Sequence, residues 1–258
     1  MKVTRTALVT GASAGLGKAF ANELGSLGTN LVLVARRLEK LETVACELRE
    51  RHSVLVSCIP ADLADPEAPL RIFEATQNQG LIIDYLINNA GSGGPDLLNT
   101  RDWSELRAYL ELMMISAAQM CHLFVPGMKD RGWGRVINVS SVSARIPRAG
   151  GCNYGPSKAY LVALSEELSL TLGKRGIKVC ALCPGFTHTD FHDEGELKSM
   201  KENSPSILWY EAETVVREGL AALERGKSVY VSGRLYRWLD PFFQSVWTRR
   251  LFKISAAQ

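Results

Sequence analysis

Two kinds of apolar pattern alternate along the chain. Short, nearly continuous apolar runs, of the kind that buried parallel strands require, lie at 7–9, 30–35, 54–59, 81–87, 135–139, 178–183 and 228–231. Stretches with apolar residues on one helical face lie between or after them, at 16–27, 38–51, from 66, and at 102–128, 154–172 and 211–223. Strands that alternate with helices predict a parallel, doubly wound α/β sheet.

The pattern weakens in two places. Residues 186 to about 206 lack a clear period, and residues 236–252 form a basic amphipathic tail. No repeat, linker or low-complexity stretch interrupts the chain. We therefore predict a single domain over residues 1–258.

Composition excludes several classes of protein. The 258 residues are 46% hydrophobic and 22% charged, which is enough apolar material for a sizeable core. A net charge of +3, without a basic tract or zinc-finger spacing, argues against a nucleic-acid partner. The N-terminus has no apolar leader and no later apolar run reaches membrane-spanning length, so we expect a cytoplasmic protein.

The six cysteines also favour a reducing compartment, because they are scattered through predicted helices and strands rather than spaced as a disulfide framework. Cys180 and Cys183 form a CxxC pair on a predicted strand, where odd spacing directs two side chains to opposite faces. We expect two core thiols rather than half of a metal site.

A glycine-rich turn, TGASAGLG from Thr10 to Gly17, joins the first strand to the first helix. Gly11 allows a sharp turn because glycine accepts a positive φ. Gly15 and Gly17 let the backbone approach a pyrophosphate, whose charge suits the free N–H groups of a helix N-terminus. The turn predicts a dinucleotide site formed by Gly11, Ser13, Ala14, Gly15, Leu16 and Gly17. From this stretch alone, a simple strand-to-helix connector remains the alternative.

Arg36 and Arg37 follow the second strand, where a dinucleotide fold presents a side chain to the adenosine ribose. An acid there would accept the 2′-hydroxyl, whereas arginine accommodates a 2′-phosphate. No Asp or Glu lies between Glu23 and Glu39, so the sequence favours NADP(H), with NAD(H) as the alternative cofactor. The competing interpretation is that both arginines are only the polar start of the next helix.

Tyr154 and Lys158 are four residues apart and therefore neighbours on one face of a predicted helix. A nearby ammonium stabilises phenolate, so we expect the pKa of Tyr154 to fall toward the range of a general acid or base. Ser141 follows a predicted strand, where open α/β sheets bind ligands, and its hydroxyl is suited to orient a substrate oxygen. Ser140 is the alternative candidate for that role. A Tyr–Lys pair on a helix is, by itself, usually only a surface feature or part of the packing.

In the joint occurrence and order of these motifs, the chain resembles the short-chain dehydrogenase/reductase family of the classical type. The similarity extends to about Gly233 and implies a seven-stranded, Rossmann-type sheet, a nicotinamide cofactor and hydride transfer between a carbonyl and an alcohol. The catalytic residues that it implies are Ser141, Tyr154 and Lys158. Beyond the turn and the arginines, the cofactor-binding residues that it implies are Asp62, Leu63, Asn89, Ala90, Gly91, Tyr154, Lys158, Pro184, Gly185, Thr187 and Thr189.

The sequence departs from the family at Met113, where the family has an asparagine thirteen residues before the proline that is here Pro126. That asparagine helps to hold a water molecule and a helix kink that connect the lysine to solvent, and a thioether is too weak an acceptor to replace it. Ser116 lies one turn away and is the candidate replacement. We expect the change to affect the proton relay and not the fold.

The segment at about 186–206 resembles the family's substrate loop, and its apolar and aromatic side chains predict a lipophilic carbonyl or alcohol substrate. His188, His192 and the acids beside them suggest a metal, but we expect none, because such loops are often polar and the reaction needs no metal. Arg145 and Arg148 either face the pocket, where they would favour an acidic substrate group, or are solvated.

The tail at 236–252 fits either a membrane surface or a cover for the pocket or for a subunit neighbour, and we favour the cover. The family implies a homodimer or homotetramer formed through the helices at 102–128 and 154–172.

The sequence thus predicts an NADP(H)-dependent oxidoreductase that interconverts a ketone or aldehyde and an alcohol, with Tyr154 as general acid or base. The alternative, suggested by Met113, is a non-catalytic NADP(H)-binding regulatory or scaffold protein on the same fold.

Overall fold

The computed structural model describes residues 4–146, 153–189, 205–245 and 247–248. Its main sheet consists of β1 (Thr6–Thr10), β2 (Asn30–Ala35), β3 (Val56–Pro60), β4 (Tyr85–Asn88), β5 (Gly134–Val139), β6 (Ile177–Cys183) and β9 (Val229–Val231). These seven strands are parallel, in the order β3-β2-β1-β4-β5-β6-β9. The strand order reverses between β1 and β4, which is where an open sheet of this kind binds ligands. The predicted Rossmann-type sheet is confirmed.

Helices lie on both faces of the sheet. Their bounds are α1 (Gly15–Ser26), α2 (Leu38–His52), α3 (Ala68–Asn78), α4 (Trp103–Leu110), α5 (Ser116–Asp130), α6 (Tyr154–Leu172), α7 (Ala212–Glu224) and α8 (Arg234–Gln244). The helices α1, α2 and α7 contribute to the core on one face, and α3, α5 and α6 contribute to the core on the other.

The central strands are buried on both faces, which explains why they are continuous apolar runs in the sequence. Every residue of β1 and of β5 is buried. Val9 belongs to the same core as Phe20 of α1, whereas its neighbour Leu8 belongs to the opposite core, with Met120 of α5. A strand with one face in water would instead alternate apolar and polar residues.

The helices α4 and α5 form one long helix with a π-helical turn, Glu111–Ile115, between them. Asp102 caps its start, because Oδ1 accepts the N–H of Ser104 at 2.8 Å. By length and composition alone, this helix of 28 residues is long and apolar enough to cross a membrane. The expectation that no apolar run reaches membrane-spanning length is therefore corrected. Its residues Met120 and Met128 are fully buried in the core beside the sheet, as in the core helix of a globular domain.

The sequence pattern does not predict a second, two-stranded parallel pair, β7 (Phe186–His188) and β8 (Trp209–Glu211). The rings of Phe186 and Trp209 stack there with their centroids 5.1 Å apart. These residues are more than twenty positions apart, so the local pattern of apolar residues does not predict their pairing. Two of the predicted strands, at 54–59 and 81–87, also begin later than expected, since Leu55 and Ile82 are exposed.

Cys180 and Cys183 lie on β6 and belong to cores on opposite faces of the sheet, as their odd spacing predicts. Burial raises the pKa of Cys180 to about 12 and that of Cys183 to about 11. Both thiols are therefore protonated at neutral pH and are poor metal ligands. Each cysteine within the described ranges is free.

We expect Gly17→Ala to destabilise the protein. A Cβ at this position would lie 2.1 Å from the carbonyl oxygen of Gly11 and 2.7 Å from Nδ2 of Asn89, so the backbone must shift. Overpacking of this kind costs about 1–3 kcal/mol, and denaturant unfolding should show a loss of at least about 1 kcal/mol. The control is Gly173→Ala, whose Cβ meets nothing within 4 Å. Equal stability of the two variants would contradict the close approach.

Candidate active site

Hydrogen bonds from Thr10 and Asn89 join the carboxyl ends of β1 and β4. The hydroxyl oxygen of Thr10 accepts the N–H groups of Asn89 and Ala90 at 2.9 and 3.0 Å. Nδ2 of Asn89 donates in return to the carbonyl oxygens of Thr10 and Gly11, at 2.9 and 3.4 Å. Asn89 thus supports the glycine turn through its amide, and its contact with a cofactor stays a prediction. Thr10, the first letter of the glycine motif, is a site residue that the sequence analysis did not select.

The glycine turn and the start of α1 form a cradle. Gly11 and Gly15 have positive φ angles of 65° and 51°, which other residues rarely adopt. Because α1 begins at Gly15, its first N–H groups have no carbonyl acceptor one turn earlier. A Cβ on Gly15 would lie 3.2 Å from Cβ of Thr189, so this threonine lies beside the cradle. Free N–H groups and a helix N-terminus without a side chain in front of them fit a pyrophosphate. The partly exposed residues of the turn are Gly11, Ser13, Ala14, Gly15 and Leu16.

Arg36 and Arg37 lie at the end of β2, next to the glycine turn. The N–H of Ala12 donates to the carbonyl oxygen of Val34 at 3.2 Å, so the turn is in contact with this strand end. Both arginines are exposed, and neither has a carboxylate partner within the part of the chain that the structure describes. Arg37 is the N-cap residue of α2, which agrees with the plain helix-start interpretation for that residue. The placement leaves Arg36 available to an anion.

Two further predicted cofactor residues follow β3. Asp62 is exposed, and its Oδ1 accepts the N–H of Ala64 at 3.1 Å. Leu63 is buried in the core with α3. Gly91 lies on the other side of the switch point, where a Cβ would be 3.5 Å from Nζ of Lys158. The strand ends therefore bring the predicted adenosine side and the predicted catalytic side to one edge of the sheet.

The two candidate serines after β5 have different surroundings. The Ser140 hydroxyl donates to the carbonyl oxygen of Lys158 at 2.7 Å and thereby ties the strand end to α6. Oγ of Ser141 accepts the N–H of Ser143 at 3.1 Å and is hydrogen-bonded to the phenol of Tyr154. Ser141, rather than its neighbour, therefore shares a site with Tyr154.

The helix α6 begins at Tyr154 and carries Lys158 one turn later. Nζ of Lys158 is buried, lies 5.8 Å from the centre of the Tyr154 ring and donates to the carbonyl oxygen of Val139 at 2.9 Å. Burial lowers the pKa of Lys158 to about 8. Burial also raises the pKa of Tyr154, against the lowering effect of its hydrogen bond to Ser141. The expected fall in the pKa of Tyr154 is therefore wrong, because burial disfavours both charged forms.

Met113 lies beside Lys158 in the π-helical turn. A Cβ on Gly91 would be 3.2 Å from Sδ of Met113 and 3.5 Å from Nζ of Lys158, so the two side chains flank this glycine. Sδ also accepts the N–H of Ser92 at 3.4 Å. The candidate replacement, Ser116, donates its hydroxyl to the carbonyl oxygen of Leu112 at 2.9 Å. Its hydrogen bond therefore stays within the helix and does not replace the family's amide.

A buried polar chain crosses beneath the site. Nδ2 of Asn88 donates to Oδ1 of Asn138 at 2.8 Å, and Nδ2 of Asn138 donates to Oγ of Ser165 at 2.9 Å. The three residues belong to β4, β5 and α6, so the chain links the helix that carries Tyr154 to the sheet. Oδ1 of Asn88 is buried and has no hydrogen-bond partner among the described residues, so the chain is not satisfied at its β4 end.

The segment after β6 is fastened to its neighbours. The carbonyl oxygen of Pro184 accepts the N–H of Val142 at 2.9 Å, and the Thr187 hydroxyl donates to the carbonyl oxygen of Gly185 at 3.0 Å. A Cβ on Gly185 would lie 2.1 Å from the ring of Tyr236, so this position must be small to admit α8. Cofactor contacts by Pro184, Gly185 and Thr187 stay predictions.

The tail helix α8 is anchored at this edge of the sheet. Arg145, which the sequence leaves between pocket and solvent, donates to both carboxylate oxygens of Asp240, at 2.7 and 2.6 Å. Nε2 of Gln244 donates to the carbonyl oxygen of Arg145 at 2.9 Å. The Tyr236 hydroxyl donates to the carbonyl oxygen of Leu208 at 3.2 Å. These long-range bonds have no local sequence signal.

Much of the predicted substrate loop lies outside the described residues, including Asp190, His192, Asp193 and Glu194, as does Arg148. His188 is exposed and lies at a tilt to Trp209, with ring centroids 5.2 Å apart. Within the described ranges, no three His, Cys, Asp or Glu side chains are grouped so that they could hold a metal ion.

Comparison with known proteins identifies the family. The model of the short chain dehydrogenase family matches residues 5–199. The chain belongs to this family and is an oxidoreductase that acts on CH–OH groups. A curated relative, 3-oxoacyl-(acyl-carrier-protein) reductase FabG of Staphylococcus aureus (strain Mu50 / ATCC 700699), is 30% identical over 237 residues, which are 91% of this chain and 96% of the relative. The predicted resemblance is confirmed, and the relationship favours an enzyme over a regulatory or scaffold protein.

Solved structures agree in fold. A short-chain dehydrogenase from Sphingobium yanoikuyae in complex with NADPH has a TM-score of 0.79 and 28% identity, covering 88% of this chain and 87% of that chain. The bulky-bulky ketone specific alcohol dehydrogenase from Comamonas testosteroni has a TM-score of 0.77 and 27% identity, covering 92% of this chain and 91% of that chain.

We expect Lys158→Met to stabilise the protein in a pH-dependent way. Below about pH 8 the lysine is charged in both folded and unfolded chains, and its burial destabilises the fold by up to about 3 kcal/mol, as a fall in pKa from 10.5 to about 8 implies. Between these values the unfolded chain binds more protons, so wild-type stability rises with pH and the variant's advantage disappears. Denaturant unfolding from about pH 7 to 10 measures the difference.

The matched control is Lys129→Met on α5, an exposed lysine. We expect this variant to follow the wild-type pH dependence throughout. A pH-independent difference between Lys158→Met and the wild type would contradict the lowered pKa of Lys158.

Proposed function

We propose that the protein is an NADP(H)-dependent oxidoreductase that interconverts a ketone or aldehyde and an alcohol, with Tyr154 as the general acid or base. The supporting observation is the cluster at the carboxyl edge of the sheet, where Ser141 is bonded to Tyr154 and Lys158 follows on the same helix. The NADPH in the Sphingobium yanoikuyae dehydrogenase supports the choice of cofactor.

The chain's own residues divide the work. Ser141 holds the substrate oxygen by a hydrogen bond, which orients it and stabilises the charge that develops on it. A phenol whose pKa is raised by burial is protonated at neutral pH, so Tyr154 is ready to give its proton to that oxygen in carbonyl reduction. Lys158 would hold the ribose hydroxyls of a bound cofactor and, when charged, favours the phenolate that remains. The nicotinamide cofactor would supply the hydride for this direction and accept it in the reverse direction.

The cradle at the start of α1 would hold the cofactor's pyrophosphate, with backbone N–H groups as donors. Arg36 would receive the 2′-phosphate, because it is a cation without a carboxylate partner among the described residues and lies beside the turn. Asp62 and Leu63 follow the next strand end and would line the adenine.

We propose a medium-sized lipophilic substrate, either steroid-like or an acyl chain. The rings of Phe186, Trp209 and Tyr236 gather at the end of β6, and Phe186 meets Tyr236 edge to face at 6.4 Å. By their names, the Staphylococcus aureus relative reduces a 3-oxoacyl group and the Comamonas testosteroni enzyme is specific for bulky-bulky ketones. A small, polar carbonyl compound would leave this aromatic surface uncovered.

We propose that α8 covers the site and does not serve as a membrane anchor, because Asp240 and Tyr236 bond inward to Arg145 and to the carbonyl oxygen of Leu208. A homodimer or homotetramer through the long helices is supported by exposed apolar residues on them, Ile115 and Leu170. The cytoplasm remains the compartment that we expect.

We expect Tyr154→Phe to lower the turnover number for NADPH-dependent carbonyl reduction by about 10²–10⁴-fold, because the proton donor is lost. NADPH affinity, measured by fluorescence titration, should change by less than about threefold, or about 0.65 kcal/mol. Tyr160→Phe is the control, since this exposed tyrosine lies on the same helix. Wild-type turnover in Tyr154→Phe would refute the assignment.

We expect Arg36→Asp to weaken NADPH binding far more than NADH binding, by at least about tenfold in the ratio, since the carboxylate repels a 2′-phosphate and suits a 2′-hydroxyl. The control is Arg175→Asp, which makes the same change of charge just before β6, at the amino ends of the strands. Titrations of both cofactors on both variants give the comparison. An equal ratio in the two variants would show that Arg36 does not bind the 2′-phosphate.

A further inference from the structure

Tyr109, in the last turn of α4, is a buried phenol that the proposed mechanism leaves without a task. Its side chain is 5% exposed, and its hydroxyl has no hydrogen-bond partner among the residues that the structure describes. A buried phenol hydroxyl usually has a partner, because losing its hydration without one costs free energy. Phenylalanine would fill the same space without that cost, whereas tyrosine keeps a donor that the described residues leave unused.

Tyr109 packs on the loop that connects the NNAG segment to α4. A Cβ on Gly94 would lie 2.0 Å from Cε2 of Tyr109, so the ring lies directly against this backbone. The next residue, Pro95, accepts a hydrogen bond on its carbonyl oxygen from Nδ2 of Asn153 at 3.0 Å. Asn153 immediately precedes Tyr154. The loop is thus held between Tyr109 and the start of the catalytic helix.

The phenols of Tyr109 and Tyr154 also share one electrostatic environment. Burial is the main cause that raises the pKa of Tyr109, and the charge of an ionised Tyr154 raises it further. An effect of one charge on the other group requires that the two lie near each other. Tyr109 is therefore a protonated donor within electrostatic range of the proposed general acid.

The next turn of the same helix offers no comparable donor. Met113 presents a thioether next to Gly91, and a thioether donates no hydrogen bond. Ser116 gives its hydroxyl hydrogen to the carbonyl oxygen of Leu112. Of these three side chains, Tyr109 alone brings a strong donor to the side of the site from which the family's amide is missing.

We propose that the Tyr109 hydroxyl is a further positioning group of this active site, which donates a hydrogen bond to an oxygen ligand held beside Tyr154. The inference rests on the proposed role of Tyr154. The oxygen belongs either to the substrate or to a water molecule that passes protons to the phenol. Both take the same donor, and kinetic measurements distinguish them.

The test is Tyr109→Phe, which removes only the hydroxyl, assayed with NADPH and a hydrophobic ketone that the wild type reduces. We expect kcat/KM to fall by at least about tenfold, or about 1.4 kcal/mol, while the melting temperature stays equal or rises. If the oxygen is the substrate's, KM rises and the shape of the pH profile is unchanged. If it belongs to a water molecule, kcat falls and one limb of the pH profile shifts.

The control is Tyr85→Phe. Tyr85 is a half-buried phenol at the start of β4, at the amino ends of the strands and therefore away from the site. It should retain wild-type kinetics. Unchanged kcat, KM and pH profile in Tyr109→Phe, at any stability, would overturn the inference, and so would a failure of this variant to fold.

Tyr154→Phe in the same assay separates the two hypotheses. Turnover retained in Tyr154→Phe contradicts the proposed function itself. Turnover lost in that variant but unchanged in Tyr109→Phe contradicts only the role of Tyr109.

Discussion

The hydrogen bonds between the ends of β1 and β4 fix the centre of the site, where the glycine turn meets the NNAG segment. A parallel sheet brings the carboxyl ends of its strands to one edge, but backbone groups beyond those ends have lost their ladder partners. The hydroxyl of Thr10 and the amide of Asn89 supply the missing bonds, and in doing so they lock the glycine turn against the NNAG segment. Gly17 then packs so closely on Gly11 that no larger residue fits. The hydrogen bonds of Thr10 and Asn89 therefore fix the positions of both the cradle at α1 and the loop that leads toward Lys158.

Burial is the second constraint, and it acts on the protonation states. Tyr154 and Lys158 are near each other, yet each loses hydration, so burial raises the pKa of Tyr154 and lowers that of Lys158 to about 8. A protonated phenol is the form that a carbonyl reductase needs at the start of its proton transfer. From the lowered pKa of Lys158 we expect its burial to lower the stability of the fold, which is a common compromise between stability and function at active sites.

The third element is enclosure from the C-terminal side. Arg145 and Asp240 join the turn after β5 to α8, and Tyr236 lies over Gly185. The same helix leaves Trp238 largely exposed on its other side. The site is consequently bounded by parts of the chain that are far apart in sequence.

The local pattern of the chain was enough to predict the sheet, the glycine turn, the start of α6 at Tyr154 and the burial of Cys180 and Cys183 on opposite faces. Each of these depends on short-range periodicity or on the backbone freedom of glycine, and both can be recognised within a few residues. The stacking of Phe186 on Trp209, the ion pair of Arg145 and the Tyr109 hydroxyl, which has no partner among the described residues, depend on residues that only folding brings together. The direction of the Tyr154 pKa belongs with them, because the sequence shows that a lysine is near but not how much water both groups have lost.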